Sequence, residues 1–461
     1  MNMALFILLG VAVMALDTSG FTNTYVDRVI DLTGRYSHSI NTITVLNHAS
    51  SSVSKYYYAI SKDNYEKLAH IRAYFKDEPH NLFKIDHVPE ESTSQYELLK
   101  ITIPRGIASK AETDLIVEEI LAQKLEPYPS KIGIFDPQLL WFEDNIHLLS
   151  PYKTKSSRTR VSFPTQNIES YTQPEDMLYD LKGKELTYGQ YSDLPAFANL
   201  PLQLHFENSN PLPYFTRVER QIEVSHWGNI AISEFYNIIN RGAELKGEFS
   251  RVDLSHRYKS AAQNALESLQ AILPKTSWGL SYRDELGNVS TSRARQHPSY
   301  VHLEVMPRFP MLGGWKSNWN IGYNLPMKYF VKNKGDQYML NTTFGFPFKE
   351  IIAEELIVKV ILPEGATDID VALPFEIDHK HFETLHSYLD TTGRPVLVLT
   401  KKNAVDYHRK PFQVIYKFSS VQMMREPLMI SGIVLCAMLL LIFYYRFDLA
   451  LDKTLKKLKT E

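Results

Sequence analysis

The chain has 461 residues, a formal net charge of −2 and 44% apolar residues. The chain therefore lacks the excess of basic residues that is typical of nucleic-acid-binding proteins. Its length allows two or three domains with large cores. The one cysteine, Cys436, has no partner for a disulfide within the chain, so the fold depends on apolar cores rich in Tyr and Phe.

The first residues have the layout of a secretory signal peptide. An apolar run over residues 4–16 is followed by small residues at positions 18–20. The run is shorter than the ~20 residues of a membrane-spanning helix. We therefore expect residues 1–20 to be a signal peptide that directs the chain into the secretory lumen. A buried core segment or an uncleaved anchor is the alternative.

Two pairs of segments recur in the same order along the chain. Residues 26–32 match residues 218–224, and both alternate apolar and charged residues as a half-buried strand does. Residues 99–106 match residues 358–365, and each reads as a strand that ends in a Pro-x-Gly turn. Chance similarity between strands is the alternative to an internal repeat.

The repeats predict a mainly β fold with added helices (α+β), built as two tandem, sandwich-like β-rich domains. The first domain covers residues 21–213 and the second residues 214–426, with the junction near residues 212–216. Residues 152–193 are rich in Ser, Thr, Tyr and Lys. This composition indicates a long polar loop rather than a core segment.

Two segments have helical spacing. A capping box at Ser109 and Glu112 precedes an apolar stripe that ends at Leu121. In the second domain, apolar residues from Ala262 to Leu273 recur at helical spacing and stop before a proline. We expect a helix in each place, and the second helix forms an insertion in its domain.

A few polar motifs have the chemistry of metal or acid–base sites. Asp368 and Asp370 resemble the Asp-x-Asp that holds a metal in some glycosyltransferases, but they also suit the wet face of a strand. Two further groups are Asp284 with Glu285, and His379 with His381 and His386. A turn and a solvated strand account better for these two groups. We therefore assign no catalytic, cofactor-binding or metal-binding residue.

Two acceptor triplets for N-linked glycan occur, at Asn288 and Asn341. Asn288 follows Gly287 in a polar segment, which indicates an exposed turn. Asn341 lies beside apolar residues, which indicates a strand and less frequent use. We expect a glycan on Asn288 first and on Asn341 second.

An uncharged apolar run over residues 428–445 predicts one transmembrane helix, residues 427–446. Residues 447–461 carry several Lys, and positive residues favour the cytosolic side. We expect a type I topology with most of the chain in the lumen. Lys457 and Lys459 resemble a dilysine retrieval signal, with an ordinary basic tail as the alternative.

A series of short blocks begins near Arg220 and continues to the predicted span. In order along the chain, the blocks are residues 226–230 (HWGNI), 245–251 (LKGEFSR), 282–292 (YRDELGNVSTS), 307–310 (PRFP), 313–316 (GGWK), 322–326 (GYNLP), 335–338 (GDQY), 361–366 (ILPEGA), 389–391 (LDT) and 393–395 (GRP). These blocks resemble the ribophorin I family, a subunit of the oligosaccharyltransferase complex of the endoplasmic reticulum. The N-terminal half is similar more weakly, at residues 168–172.

The resemblance implies a non-catalytic subunit in the endoplasmic reticulum membrane. In that family a separate multi-spanning subunit transfers the lipid-linked oligosaccharide to Asn. The implied partners are other subunits of the complex, nascent polypeptides and membrane lipid, with no cofactor and no nucleic acid. The alternatives are a lumenal chaperone or cargo receptor, or a metal-dependent hydrolase or transferase.

Aromatic residues and glycines are concentrated in the blocks after residue 312. Trp315, Trp319 and Tyr323 are the candidate surface for a partner, with packing in a core as the alternative. Gly313, Gly314 and Gly365 suit backbone positions that need positive φ or a close approach.

Overall fold

The structure is a computed structural model, and it describes residues 20–89, 92–93, 95–175, 178–250, 252, 264–387 and 389–446. The expected signal peptide (apart from residue 20), the expected tail with Lys457 and Lys459, and the start of the second expected helix lie outside the described residues.

The described residues contain thirty-one strands, a few short helices and one long C-terminal helix. The strands are β1 (Phe21–Asp31), β2 (Ser37–Asn47), β3 (Val53–Ser61), β4 (Leu68–Phe75), β5 (Lys84–His87), β6 (Tyr96–Ile107), β7 (Glu112–Leu121), β8 (Glu126–Pro127), β9 (Lys131–Ile132), β10 (Leu139–Asn145), β11 (Thr154–Ser162), β12 (Ile168–Tyr171), β13 (Tyr179–Lys182), β14 (Glu185–Leu194), β15 (Pro201–Glu207), β16 (Pro213–Ser225), β17 (Asn229–Asn240), β18 (Glu244–Leu245), β19 (Leu269–Pro274), β20 (Trp278–Asp284), β21 (Gly287–Asn288), β22 (Arg293–Gln296), β23 (Tyr300–Val305), β24 (Lys316–Pro326), β25 (Val331–Lys334), β26 (Gln337–Thr343), β27 (Ile352–Ile361), β28 (Thr367–Ala372), β29 (His379–Leu385), β30 (Arg394–Ala404) and β31 (Pro411–Lys417). The α-helices are Lys62–Glu66, Ser420–Met423 and Arg425–Arg446, and the 3₁₀ turns are Met327–Tyr329 and Asp406–His408.

The first half is built on a seven-stranded sheet, β13-β14-β11-β1-β2-β7-β4. Inward side chains alternate along β1 and β2, as the sequence pattern predicts. Two smaller sheets, β3-β6-β5 and β12-β15-β10-β8, pack on it through two apolar cores. The result is a sandwich, because each sheet must bury its apolar face against another layer.

The second half repeats this plan with an eight-stranded sheet, β21-β20-β24-β17-β16-β27-β30-β29. The sheets β19-β23-β22 and β25-β26-β31-β28 pack on it and share one large core. A mainly β, sandwich-like fold with few helices is therefore confirmed.

The two large sheets share the same strand order. Six strands of the first, β14-β11-β1-β2-β7-β4, correspond in chain order to β30-β27-β16-β17-β24-β20 of the second. In each row the second and third strands, β11 with β1 and β27 with β16, are parallel, and the other neighbours are antiparallel. The sequence match of residues 26–32 with 218–224 falls on the equivalent strands β1 and β16.

The second sequence match is not a structural repeat. Residues 99–106 lie in β6, which pairs with β3 and β5 in a small sheet. Residues 358–365 begin in β27, a central strand of the large sheet. Strands draw on a small set of β-branched and apolar residues, so this similarity arose from composition rather than from position in the fold.

Both predicted helices are wrong where the structure describes them. The segment that ends at Leu121 is β7, and its last five residues are all buried. A strand covered on both faces loses its alternation, so its apolar residues also match helical spacing. Residues 269–274 form β19, in which Leu269, Ala271 and Leu273 alternate inward.

The loop predicted at residues 152–193 is also wrong. It contains β11, which lies beside β1 in the centre of the first large sheet, and β14 next to it. The inward residues of β11 include Ser157 and Thr159, which are buried despite being polar. The Thr159 hydroxyl donates to the carbonyl of Ile146 over 2.6 Å, and such bonds allow a polar strand to lie in a core.

The two halves contact each other through a small apolar cluster and polar contacts. Ala69 and Ile120 of the first half pack with Tyr214, Ile352 and Val405 of the second. Short strands β9 and β18 pair across the same junction. The chain passes from one half to the other between β15 and β16.

Candidate functional site

The sequence-predicted acids lie in strands and turns. Asp368 forms an ion pair with Lys417 over 2.7 Å, and Asp370 accepts from the N–H of Val371. Both are exposed on β28, while Ile369 and Val371 between them pack toward the core. This is the solvent-exposed strand face that the alternation predicts, and the group with metal-sized spacing found among the described residues does not include these two acids.

The acid pair at residues 284–285 belongs to a turn. Asp284 accepts from the N–H groups of Leu286 and Gly287 and pairs with Arg308 over 2.7 Å. The Arg308 guanidinium lowers the pKa of Asp284. An acid held ionised in this way stabilises a turn and is a poor proton donor near neutral pH.

The three histidines lie on and just after an exposed edge strand. His379 and His381 are exposed on β29, which is at the edge of its sheet, and His381 lies 3.2 Å from Glu383. Among the described residues, three carboxylates lie close enough together to hold a metal ion, namely those of Glu364, Asp390 and Glu426. This group contains none of the three histidines.

The two glycan acceptors differ in their surroundings. Asn288 is exposed in a tight hairpin formed by β20 and β21. The side chain of Asn341 is exposed too, but its backbone lies in β26, between β25 and β31. The strand expected around Asn341 is therefore present, while glycan attachment at either residue stays a prediction.

The candidate partner surface is wrong for two of its three residues. Trp319 and Tyr323 are 4% and 3% exposed and belong to the second core. Trp319 stacks on Tyr236 with 4.3 Å between ring centres. Trp315 is half-buried, and it borders an open cleft of about 360 Å³ with the exposed Phe309.

The three glycines predicted to need special backbone geometry do need it, and Gly314 has a φ of +78°. A Cβ at Gly313 would lie 2.0 Å from the carbonyl oxygen of Ala243. Gly365 has a φ of +87°, and a Cβ there would lie 2.4 Å from the Gln422 side chain. Gly365 therefore allows a turn to approach the chain just before the C-terminal helix.

Each large sheet holds a buried arginine at the same position. Arg28 on β1 binds Asp144 over 2.7 Å and lies 3.8 Å from Glu119. Arg220 on β16 binds Glu234 over 2.6 Å. All five side chains are 4% exposed or less. Such pairs tie strands together, because an unpaired charge in a core is costly.

Hydrogen bonds complete the second of these clusters. The hydroxyls of Tyr236 and Tyr323 donate to the Glu234 carboxylate over 2.6 and 3.2 Å. Arg220 also donates to the carbonyl of Gly345 over 2.9 Å. Burial, with Glu234 beside it, raises the pKa of Tyr236 well above its usual value. Tyr236 therefore keeps its hydroxyl proton near pH 7 and can donate to Glu234, which indicates a structural role for the cluster.

A polar cavity of about 300 Å³ lies beside Arg28 in the first half. Lys124 and Asp63 in its wall form an ion pair over 2.9 Å. Burial, with Arg28 nearby, lowers the pKa of His147 to about 4, so this ring is neutral near pH 7. The charged groups identified here are engaged with one another rather than poised for proton transfer.

The most unusual ionic group joins the C-terminal helix to the second sheet. Glu364 follows β27 and accepts bonds from the N–H groups and hydroxyls of Thr391 and Thr392. Burial raises the pKa of Glu364, but these bonds outweigh that effect and lower it to about 2. Arg425, the first residue of the helix, lies 3.5 Å from the Glu364 carboxylate.

A second arginine completes this junction. Arg394, the first residue of β30, contacts Glu223 over 2.7 Å, Asp390 over 3.2 Å and Glu426 over 3.5 Å. Glu364, Asp390 and Glu426 have metal-sized spacing, but Arg394 and Arg425 already neutralise them. Sequence reasoning missed this junction; the available signal was the charged Arg425-Glu426 pair directly before the apolar run.

Together these features define a class of protein: a β-rich molecule of two similarly built halves, with one C-terminal helix long and apolar enough to cross a membrane. Its two buried arginines are paired with buried carboxylates. The sequence matches the family model of ribophorin I over residues 21–445. The chain belongs to the ribophorin I family.

Curated relatives are similar over most of the chain. Dolichyl-diphosphooligosaccharide–protein glycosyltransferase subunit 1A of Arabidopsis thaliana is 34% identical, over 98% of this chain and 74% of the relative. Subunit 1 of Caenorhabditis elegans is 37% identical, over 93% and 72%. Subunit 1B of Arabidopsis thaliana is 33% identical, over 92% of each chain. Among solved structures, an M1 zinc metallopeptidase from Deinococcus radiodurans covers 44% of this chain at a TM-score of 0.26, a likeness too weak to assign a fold or an activity.

Proposed function

We propose that this chain is a non-catalytic subunit of the oligosaccharyltransferase of the endoplasmic reticulum. It supports transfer of a lipid-linked oligosaccharide to Asn in the Asn-x-Ser/Thr triplets of nascent proteins. One observation carries the proposal: the family match spans residues 21–445, and the relatives are named as subunit 1 of this glycosyltransferase.

The site geometry supports an accessory role. Asp368 and Asp370, the residues most similar to a glycosyltransferase metal motif, are on an exposed strand face and one of them is paired with a lysine. The buried acids beside Arg28 and Arg220 are held by arginines. Chemistry of transfer then belongs to another subunit, the multi-spanning one that the family resemblance implies.

The proposed topology is type I and single-pass. The helix Arg425–Arg446 is apolar, and its side chains are exposed throughout residues 430–446, so it needs lipid or other helices around it. The β-rich part would then lie in the lumen, where Asn288 and Asn341 can accept glycans. We take residues 21–213 and 214–426 as its two domains, and the shared strand order of the two large sheets supports this division.

The proposed partners are the multi-spanning catalytic subunit, further subunits, nascent polypeptides and lipid. Trp315, beside the cleft that also contains Phe309, is the surviving aromatic candidate for a protein contact. The junction of Arg394 and Arg425 with the carboxylates near them fixes the orientation of the second sheet on the helix. A subunit anchored in this way holds its lumenal surfaces at a defined place beside the membrane.

Affinity purification tests this function. The tagged chain, isolated from microsomes in a mild detergent, should bring with it the multi-spanning subunit and transfer activity toward an Asn-x-Ser/Thr peptide. The matched control is a fusion of an unrelated lumenal domain to residues 425–446. It shows whether the complex is bound through the β-rich part or through the helix. Isolation of the full chain alone would support the chaperone or cargo-receptor alternative instead.

A further inference from the structure

One end of the eight-stranded sheet lies against the start of the C-terminal helix. The turn between β16 and β17, the end of β27 and the start of β30 are at this end, as the strand register requires. Arg394 and Glu364 at this end contact Glu426 and Arg425 of the helix, each over 3.5 Å. The sheet end is therefore held at the first turn of the apolar helix.

A tryptophan protrudes from this end. Trp227 is 63% exposed at the tip of the β16–β17 turn, where Gly228 has a φ of +104°. It lines a cleft of about 260 Å³ that also contains Met423 and Glu426, so it is beside the first turn of the helix. A tryptophan that exposes most of its surface buries little of its apolar ring in the protein, so its position calls for an external apolar contact.

A second aromatic side chain accompanies it. The N–H of Met327 donates to the carbonyl of Gly228 over 2.9 Å and joins the turn Met327–Tyr329 to the Trp227 turn. Tyr329 is 62% exposed, and the Lys328 ammonium lies 4.9 Å from its ring. The end of the sheet thus presents two aromatic rings and a lysine together.

This combination suits the boundary between lipid and water. Trp and Tyr are enriched where one part of the ring is apolar and another is wet, and Lys extends its charge toward the headgroups. The headgroup layer adds about 5–8 Å on each side of the hydrocarbon core. At about 1.5 Å per residue, the three steps from Arg425 to Leu428 span roughly 5 Å, so the first turn of the helix lies within that layer.

We propose that the β16–β17 turn inserts Trp227, with Tyr329 beside it, into the headgroup layer of the lumenal leaflet. The second sheet then rests on the lipid surface at two places, the helix and this turn. The occupant of the exposed aromatic surface is phospholipid rather than another protein. The inference rests on the proposed anchoring of residues 425–446.

Fluorescence quenching by brominated lipid tests the inference. The full chain, reconstituted in phosphatidylcholine nanodiscs with bromine near the headgroup end of the acyl chains, should lose emission compared with unlabelled lipid. Trp227 is the ring placed in the lipid, so Trp227→Phe should remove most of this loss. Trp315→Phe, near the opposite end of the sheet, is the matched control and should leave the loss unchanged.

Three results would overturn the proposal. Equal quenching in wild type and Trp227→Phe would place the ring outside the lipid. In a second test, the water-soluble quencher acrylamide is added to the nanodiscs. If it quenches Trp227 strongly there, and Trp227 is protected only in the assembled complex, the surface binds a protein partner. Failure of the folded full chain to enter nanodiscs would overturn the proposed anchor, and this inference with it.

Discussion

The buried ion pair of Arg220 and Glu234 gives a sharp stability prediction. The two side chains are 3% and 0% exposed, with 2.6 Å between the guanidinium and the carboxylate. The change Arg220→Met removes the cation and leaves the Glu234 charge in the core with only tyrosine hydroxyls as donors. Breaking such a pair from one side costs about 3–5 kcal/mol.

A matched control lies on the same strand. Arg217 is 50% exposed and contacts Glu219 over 3.4 Å. An exposed pair contributes at most about 1 kcal/mol, so Arg217→Met should have a small effect. For a unit of this size 1 kcal/mol corresponds to about 2–4 °C in Tm, so Arg220→Met should lower the Tm by roughly 6–20 °C and Arg217→Met by less than about 4 °C.

Tryptophan emission during thermal unfolding of the full chain in detergent measures this effect. Four of the five tryptophans (Trp227, Trp278, Trp315 and Trp319) are in the second half, so the signal reports mainly on the affected sheet. The double change of Arg220 and Glu234 to Met should recover part of the loss, because no unpaired charge is left. If Arg220→Met melts within the range of Arg217→Met, the pair does not hold the sheet as argued.

Further predictions concern pH, glycans and packing. Burial lowers the pKa of His408 from 6.5 to about 3. Its neutral ring therefore stabilises the fold above about pH 6.5, and this contribution is lost as the pH falls toward 3. His408→Gln should flatten the pH dependence of the free energy of unfolding between these two values. Asn288→Gln should abolish most of the endoglycosidase-dependent gel shift and Asn341→Gln less, whereas an unshifted wild type would remove the support for a lumenal location. Gly313→Ala should destabilise by about 1–3 kcal/mol in denaturant unfolding, because its Cβ meets the Ala243 carbonyl; an unchanged midpoint would mean that the two segments separate freely.

Local sequence patterns correctly predicted those elements in which each face has one kind of surroundings along its whole length. Alternation along β1 and β16 identified two strands that bury one face each, and these became equivalent positions in the two sheets. The uncharged run after Pro427 identified the C-terminal helix, which the structure places at Arg425–Arg446. Both signals depend on one segment and one environment, so no tertiary information is needed.

The sequence-based predictions were wrong where contacts between distant residues determine which side chains are buried. β7 is covered on both faces at its end, and its apolar run therefore carries no strand period. Trp319 and Tyr323 alternate inward on β24, and aromatic content alone does not tell which face of a strand is wet. The junction of Glu364 with Arg425 joins residues far apart in the chain, and a single sequence does not reveal such a pair.

The most direct test of the central claim, that this chain is a non-catalytic subunit, is an oligosaccharide-transfer assay. The complex is purified with wild-type chain or with Asp368→Ala and Asp370→Ala together, and the isolated chain is assayed beside it. Both complexes should transfer a lipid-linked oligosaccharide to an Asn-x-Ser/Thr peptide at equal rates, and the isolated chain should transfer none. Transfer by the isolated chain that disappears with the two substitutions would contradict the account.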